Sequence, residues 1–214
     1  MDLNVSSVDS NAAAGNIKDR KNYFIFGSIK IDTSIFDFSS TGSYQTGNNT
    51  YKISLKDGTV ITTEKQLEEA YITALEDGTI EFYGFSSKND NPTNVTGTKK
   101  ENKYSFVNCS NFKVDSGNGD DSINATNSKN FKINSGNGND TVNITNSKSI
   151  SVNTGEGSDS VNVAGSKSVM ITSKDEDKTK DINTISYDDN SECYIISDEM
   201  IESHNENITK LTFY

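Results

Sequence analysis

Three short segments place glycine and aspartate where they could do chemistry: Ser116-Gly117-Asn118-Gly119-Asp120-Asp121, Ser135-Gly136-Asn137-Gly138-Asn139-Asp140 and Thr154-Gly155-Glu156-Gly157-Ser158-Asp159. Each begins 19 residues after the one before. Paired glycines let the backbone turn tightly and expose its carbonyls. Asp121, Asp140 and Asp159, two residues beyond the second glycine, can reach back into that turn. Backbone oxygens closed by a carboxylate are the donor set of a hard cation such as calcium. Ser116, Asn118, Ser135 and Asn137 would add oxygens to the same loops. The competing reading makes these ordinary corners, with Asn and Ser columns stacked as uncharged hydrogen-bonded ladders. Three loops in register, each with its acid in the same place, favour the cation.

A strict short period means one structural unit stacked on itself. Aligned at the 19-residue offset, Ile123, Val142 and Val161 share a column, as do Ala125, Ile144 and Val163. Beyond a polar corner come Phe112, Phe131, Ile150 and Val169, then Val114, Ile133, Val152 and Ile171. Alternation within each run predicts two short strands per period, with aliphatic side chains inward and polar ones outward. The expected fold class is therefore mainly β: a short parallel β-helix of 19 residues per coil, with a small N-terminal α+β cap and a C-terminal cap. Adjacent coils of such a helix lie ~4.7–4.9 Å apart. Calcium takes oxygens at ~2.3–2.6 Å, so an ion between equivalent loops fits that gap. Three loops enclose two gaps. The opposite corners, Asn127-Ser128-Lys129, Asn146-Ser147-Lys148 and Gly165-Ser166-Lys167, carry no acid and cannot hold calcium.

The flanks read differently. Residues 1–21 are expected to be a tail, and 22–90 an α+β cap. There the Asp57-Gly58 turn joins two strands of a hairpin. Thr63 with Gln66 forms a capping box, and Leu67, Ala70, Tyr71, Ala74 and Leu75 mark a helical face that ends before Gly78. The loop around Asn91-Pro92 is the expected joint. The β-helix is placed at 103–185, with Ile182 and Ile185 on a degraded last coil, and 186–214 as the C-terminal cap.

Composition narrows the functional classes. Acidic residues number 31 against 20 basic, a net charge of −11. That balance argues against nucleic acid, whose phosphates call for clustered Lys and Arg. Hydrophobic residues make up only 31%, which suits a thin solenoid better than a thick two-layer core. No run approaches the ~18–20 apolar residues of a membrane span. Met1 to Arg20 lacks the basic start and apolar centre of a secretory signal. Cys109 and Cys193 match no metal spacing, and two isolated thiols are expected rather than a disulfide. His204, the single histidine, sits in a polar stretch and gives a histidine-based active site little support.

The loops resemble the nonapeptide repeat of RTX proteins, Gly-Gly-x-Gly-x-Asp followed by an aliphatic residue two positions on. They are similar above all to a variant with one site per coil and a 19-residue period, found in the ice-binding region of a bacterial adhesin. Gly117, Gly119, Asp121 and Ile123 occupy the motif positions, as do Gly136, Gly138, Asp140 and Val142, and Gly155, Gly157, Asp159 and Val161. The first motif glycine is replaced by Ser116, Ser135 or Thr154. The likeness covers about residues 103–172. It implies a bacterial, calcium-stabilised protein, extracellular or at the cell surface, exported by a type I-like route without a cleaved leader. The cytoplasm is the other location left open. The implied role is adhesive or structural and non-catalytic. A calcium-independent solenoid for surface glycan or protein ligands is the first alternative, and a small polysaccharide-acting enzyme the second. Charged residues interrupt the outward loop positions, which argues against an ice-binding face.

Overall fold

Every inward column of the repeat is closed by a strand pairing at the same offset. In this computed structural model the described residues are 22–39, 44–46, 50–64, 70–87, 91–173, 183–197, 201–203 and 211–212. Three repeat periods build the central coils. Their strands are β10 (Ser110–Gly117), β11 (Ser122–Thr126), β12 (Lys129–Asn134), β13 (Thr141–Thr145), β14 (Lys148–Asn153), β15 (Ser160–Ala164) and β16 (Lys167–Ser173). Odd-numbered and even-numbered strands fall into two parallel sheets facing each other. Ile123 pairs with Val142 and Val142 with Val161 in one, Phe112 with Phe131 and Phe131 with Ile150 in the other. The result is a mainly β solenoid of about four turns with ~19 residues per coil.

Before the glycine loops, β8 (Thr93–Thr98) and β9 (Lys103–Val107) already form a coil, so unbroken parallel pairing begins ahead of 103, at Thr93 in one sheet and at Ile80 in the other. After them, β17 (Asn183–Tyr187) and β18 (Cys193–Ser197) continue both sheets, followed by β19 (Ile201–Ser203) and β20 (Leu211–Thr212). Ile185 is fully buried on that late coil; Ile182 lies outside the described residues.

The N-terminal strands are β1 (Tyr23–Phe26), β2 (Ile29–Asp32), β3 (Tyr44–Thr46), β4 (Thr50–Ser54), β5 (Val60–Glu64), β6 (Ala70–Ala74) and β7 (Ile80–Tyr83). They extend the same two sheets. β7 pairs parallel to β9, while β5 pairs antiparallel to β8. The expected helix is not there: Ala70, Tyr71 and Ala74 lie on β6, antiparallel to β7. Gln66 and Leu67 fall outside the described residues. Two features decide for the strand. Tyr71, Ile72 and Thr73 favour extended backbone, and Leu75 to Thr79 form a tight turn, with Leu75 N donating to Thr79 O at 2.8 Å and Thr79 N to Asp77 Oδ1 at 3.1 Å. Leu55 to Thr59 make the same turn, with corresponding bonds of 2.9 and 2.9 Å.

The core is one column of side chains between the sheets. It is aromatic at the N-terminal end, where Phe82 stacks on Phe106 (ring centroids 4.9 Å apart) and Phe112 on Phe131 (5.0 Å). It becomes aliphatic through Ile150, Val152, Val169 and Ile171, all essentially fully buried. Each such side chain contributes ~1.5–3 kcal/mol by leaving water. Cys109 and Cys193 are buried and unpaired, and burial pushes their thiols up to about 12 and about 11.

Candidate metal centre

The glycine loops lie at one corner of the helix, each following an even-numbered strand. Gly117, Gly119, Gly136, Gly138, Gly155 and Gly157 all adopt positive φ, between 82° and 126°. Stacking imposes a second demand. A Cβ on Gly136 would stand 1.9 Å from the Gly117 carbonyl oxygen, and one on Gly138 2.3 Å from that of Gly119. Close approach of successive coils therefore accounts for the glycines without any ligand. Backbone bonds between coils complete the corner: Asn137 N donates to Gly117 O (3.0 Å), Gly119 N to Asn137 O (2.8 Å) and Gly138 N to Glu156 O (2.9 Å).

The aspartates are a different matter. Asp121, Asp140 and Asp159 turn inward and are 1–3% exposed. In each, Oδ1 accepts the backbone amide of the preceding coil: Asn102 N on Asp121 at 2.7 Å, Asp121 N on Asp140 at 2.8 Å, Asp140 N on Asp159 at 2.8 Å. Oδ2 of Asp121 and of Asp140 is buried with no hydrogen-bond partner. The hydroxyls of Ser116 and Ser135 lie close enough to Asp121 and Asp140 to favour their charged forms, but each directs its proton to a backbone carbonyl. Ser116 Oγ donates to Ser135 O (2.7 Å), and Ser135 Oγ to Thr154 O (2.7 Å). A buried carboxylate oxygen left without a donor carries a desolvation cost of ~1–3 kcal/mol or more. Burial accordingly pushes the Asp121 carboxyl up to about 6 and that of Asp140 up to about 7, against the pull of the amide bonds.

Asparagine ends the column on both sides, which the sequence reading missed. Asn102 precedes Asp121 in the ladder, and Asn183 follows Asp159, accepting the Asp159 amide at 2.6 Å. Asn183 also donates from Nδ2 to Ser173 Oγ at 2.6 Å. The 24-residue step from Asp159 to Asn183, in place of 19, hid this member from a fixed-offset alignment.

Of the expected ligands, the structure brings the three aspartates and the glycine loops together. Ser116 and Ser135 are buried beside them, as ladder members. Asn118 and Asn137 are exposed; their backbones bridge the coils. Among the described residues no three His, Cys, Asp or Glu side chains cluster as a ready cage. Any ion here would draw mainly on backbone oxygens.

No family model matches this chain. Neither does a curated protein or a solved structure. The parallel solenoid is thus established by its own geometry. Among the described residues no helix is long and apolar enough to cross a membrane.

Proposed function

We propose that the chain is a calcium-stabilised β-helix protein with a non-catalytic, adhesive or structural role at or outside the cell surface. The observation that supports this best is the pair of buried carboxylate oxygens, Asp121 Oδ2 and Asp140 Oδ2, one coil apart and without hydrogen-bond partners. A divalent cation at the loops would neutralise the column. Asp121, Asp140 and Asp159 would hold it together with carbonyls of the Gly-x-Gly turns, and bound calcium would supply charge compensation between coils. Ligand that binds only the folded state stabilises it in proportion to the logarithm of its concentration. Oxygen sites on extracellular modules commonly have affinities of ~10⁻⁴–10⁻³ M. Such coils would be loose in a calcium-poor compartment and locked in a calcium-rich one. The resemblance to RTX repeats supports the same reading.

A second reading is favoured by Asn183. There the second atom of the side chain is a donor, bonded to the serine of its own coil. A protonated aspartate would copy that pattern, and the column would need no metal. Equilibrium dialysis of the full chain against calcium, at pH 7.5 and at pH 5.5, separates the two. The calcium reading expects saturable uptake, one ion per gap between adjacent glycine loops, displaced by protons but not by equimolar magnesium. Absence of uptake at both pH values would leave the neutral ladder.

A further inference from the structure

Over the three glycine-loop coils charge is divided between the two corners; the coil before adds Lys99, Lys100 and Lys103 beside Glu101 at the glycine corner, and the coil after adds Asp188, Asp189 and Glu192 at the other. Acids gather at the glycine loops: Glu101, Asp115, Asp120, Asp121, Asp140, Glu156 and Asp159 lie on or beside them. The opposite corner carries lysines. Lys129 pairs in register with Lys148, and Lys148 with Lys167, all three exposed. Around that corner, on the outer face of the next sheet, Lys113 pairs with Lys132. Two grooves cross successive coils, one at the corner itself and one on the strand face that follows it. One, of about 580 Å³, holds Lys129, Lys148 and Lys167; the other, of about 570 Å³, holds Lys113 and Lys132. Among the described residues no Asp or Glu lines either groove, in a chain with 31 acids to 20 bases. Among the described residues no carboxylate lies within ion-pair distance of Lys113, Lys129, Lys132 or Lys148. Lys167, at the far end, donates to the Asn190 carbonyl at 2.6 Å.

Like charges directly opposite on neighbouring strands are destabilising. Nothing in the coil packing calls for these lysines, since the corner is closed by buried Ser128, Ser147 and Ser166. We propose that this corner binds a linear acidic polysaccharide laid parallel to the helix axis, its carboxylates meeting the Lys129, Lys148 and Lys167 row and the Lys113 and Lys132 pair. The proposal deepens the adhesive part of the reading above and does not depend on the calcium part.

Three features select the occupant. The lysines repeat at the coil spacing of ~4.8 Å; a chain of 1,4-linked uronic acids rises by a comparable step per ring and turns successive carboxylates to different sides, toward the corner row and the Lys113 and Lys132 pair by turns. Between the lysines both grooves carry amides and hydroxyls, which suit sugar hydroxyls, and the second adds an apolar floor of Pro92, Phe112, Phe131, Ile150 and Met170, against which a sugar ring's C–H face can pack. Asn127, Asn146 and Asn130 stand there in left-handed backbone, φ 48–56°. Single-stranded nucleic acid calls for a series of exposed aromatic platforms, whereas Phe112 and Phe131, under the second groove, are 1% exposed and Tyr194, in register with Met170 at its end, stands alone among the described residues of that column.

The test is fluorescence anisotropy of labelled oligogalacturonate with the full chain in calcium buffer at low salt. Wild type is expected to bind saturably, and the fully methyl-esterified oligomer not to bind. Combining Lys129→Ala, Lys148→Ala and Lys167→Ala should weaken binding by on the order of tenfold and flatten its salt dependence. The pair Lys99→Ala and Lys100→Ala, exposed lysines away from both grooves, should leave it unchanged. Lys148→Glu alone, checked for fold by circular dichroism, should move binding in the same direction as the triple variant. Absence of saturable binding, equal binding by wild type and the triple variant, or tighter binding of oligothymidylate would overturn the proposal. Calcium bridging between oligomer and acidic loops would survive the lysine substitutions and so belongs to the overturning results. A missing calcium response in thermal unfolding would leave this assay standing, and its failure would leave the calcium reading standing.

Discussion

The two corners of each coil solve the same problem with different side chains. At both, an inward residue accepts the backbone amide of the preceding coil. At the lysine corner that residue is serine. Ser147 Oγ takes the Ser128 amide at 3.0 Å and donates to the carbonyl of Thr145 at 2.9 Å, so donor and acceptor are both matched. At the glycine corner it is aspartate, whose Oδ1 takes the amide while the second oxygen is left over at Asp121 and Asp140. A neutral hydroxyl closes one corner with no charge to compensate. The carboxylate closes the other only if something neutralises it. The difference teaches that the repeat does not need aspartate to stack, since serine at one corner and asparagine, at Asn183, at the other accept the corresponding amide. The acid is an addition, and on the reading proposed above its use is to hold a cation.

The largest effect that would break this comparison is steric. Gly136→Ala forces a Cβ to 1.9 Å from the Gly117 carbonyl oxygen at φ 99°, and should cost about 3 kcal/mol or more. For a chain of this size that lowers the unfolding midpoint by roughly 6–12 °C. Gly165, at the lysine corner, stands in a column where Asn108, Asn127 and Asn146 hold φ 48–54°. Gly165→Asn should therefore change the midpoint by no more than about 2 °C, within the ±0.5 kcal/mol of a tolerated substitution. Similar losses at both glycines, measured by thermal denaturation, would erase the distinction between the corners.

The next effect concerns the acid. Asp140 is shared by both gaps, so Asp140→Ala should reduce calcium stabilisation more than Asp121→Ala or Asp159→Ala. Equal losses in calcium titrations of the three variants would count against ions sandwiched between loops.

Acidity gives a smaller effect and fixes a sign. Without metal, burial holds the Asp121 and Asp140 carboxyls at about 6 and about 7, above the ordinary aspartate range. The folded state then binds more protons than the unfolded state between those limits, so stability falls as pH rises through that window. The metal-free midpoint should rise as pH is lowered from 7.5 toward 5. Saturating calcium should flatten or reverse the trend. A midpoint independent of pH in chelator would show that the column carries no unmet charge. The smallest effect is at the lysine corner, where Lys148→Ala should raise the midpoint slightly at low salt and not at high salt.

Much of this was legible in the residues. The alternation around Ile123, Val142 and Val161 gave the register because one face of each strand must be apolar, and a slip by one residue would turn every side chain over. The glycine corner was legible for the same reason, each loop repeating its backbone demand. The expected helix at 63–77 failed because Thr63 with Gln66 and the spacing of Leu67, Ala70 and Ala74 mimic a capped amphipathic helix. The contrary signal was present: Leu55-Lys56-Asp57-Gly58-Thr59 and Leu75-Glu76-Asp77-Gly78-Thr79 are the same turn. Reading the first as a hairpin required reading the second as one. Asn102 stands at the 19-residue offset before Asp121 and was within reach of the alignment; Asn183, 24 residues after Asp159, was not, because the last coil is longer.

Thermal unfolding by circular dichroism of wild type and Asp140→Asn, each in millimolar calcium, in magnesium and in chelator, tests the central claim most directly. The account predicts a calcium-specific rise in the wild-type midpoint. It also predicts that Asp140→Asn in chelator is at least as stable as wild type, and that its calcium response is largely lost. Identical wild-type curves in calcium and chelator, or an undiminished calcium response in Asp140→Asn, would contradict it.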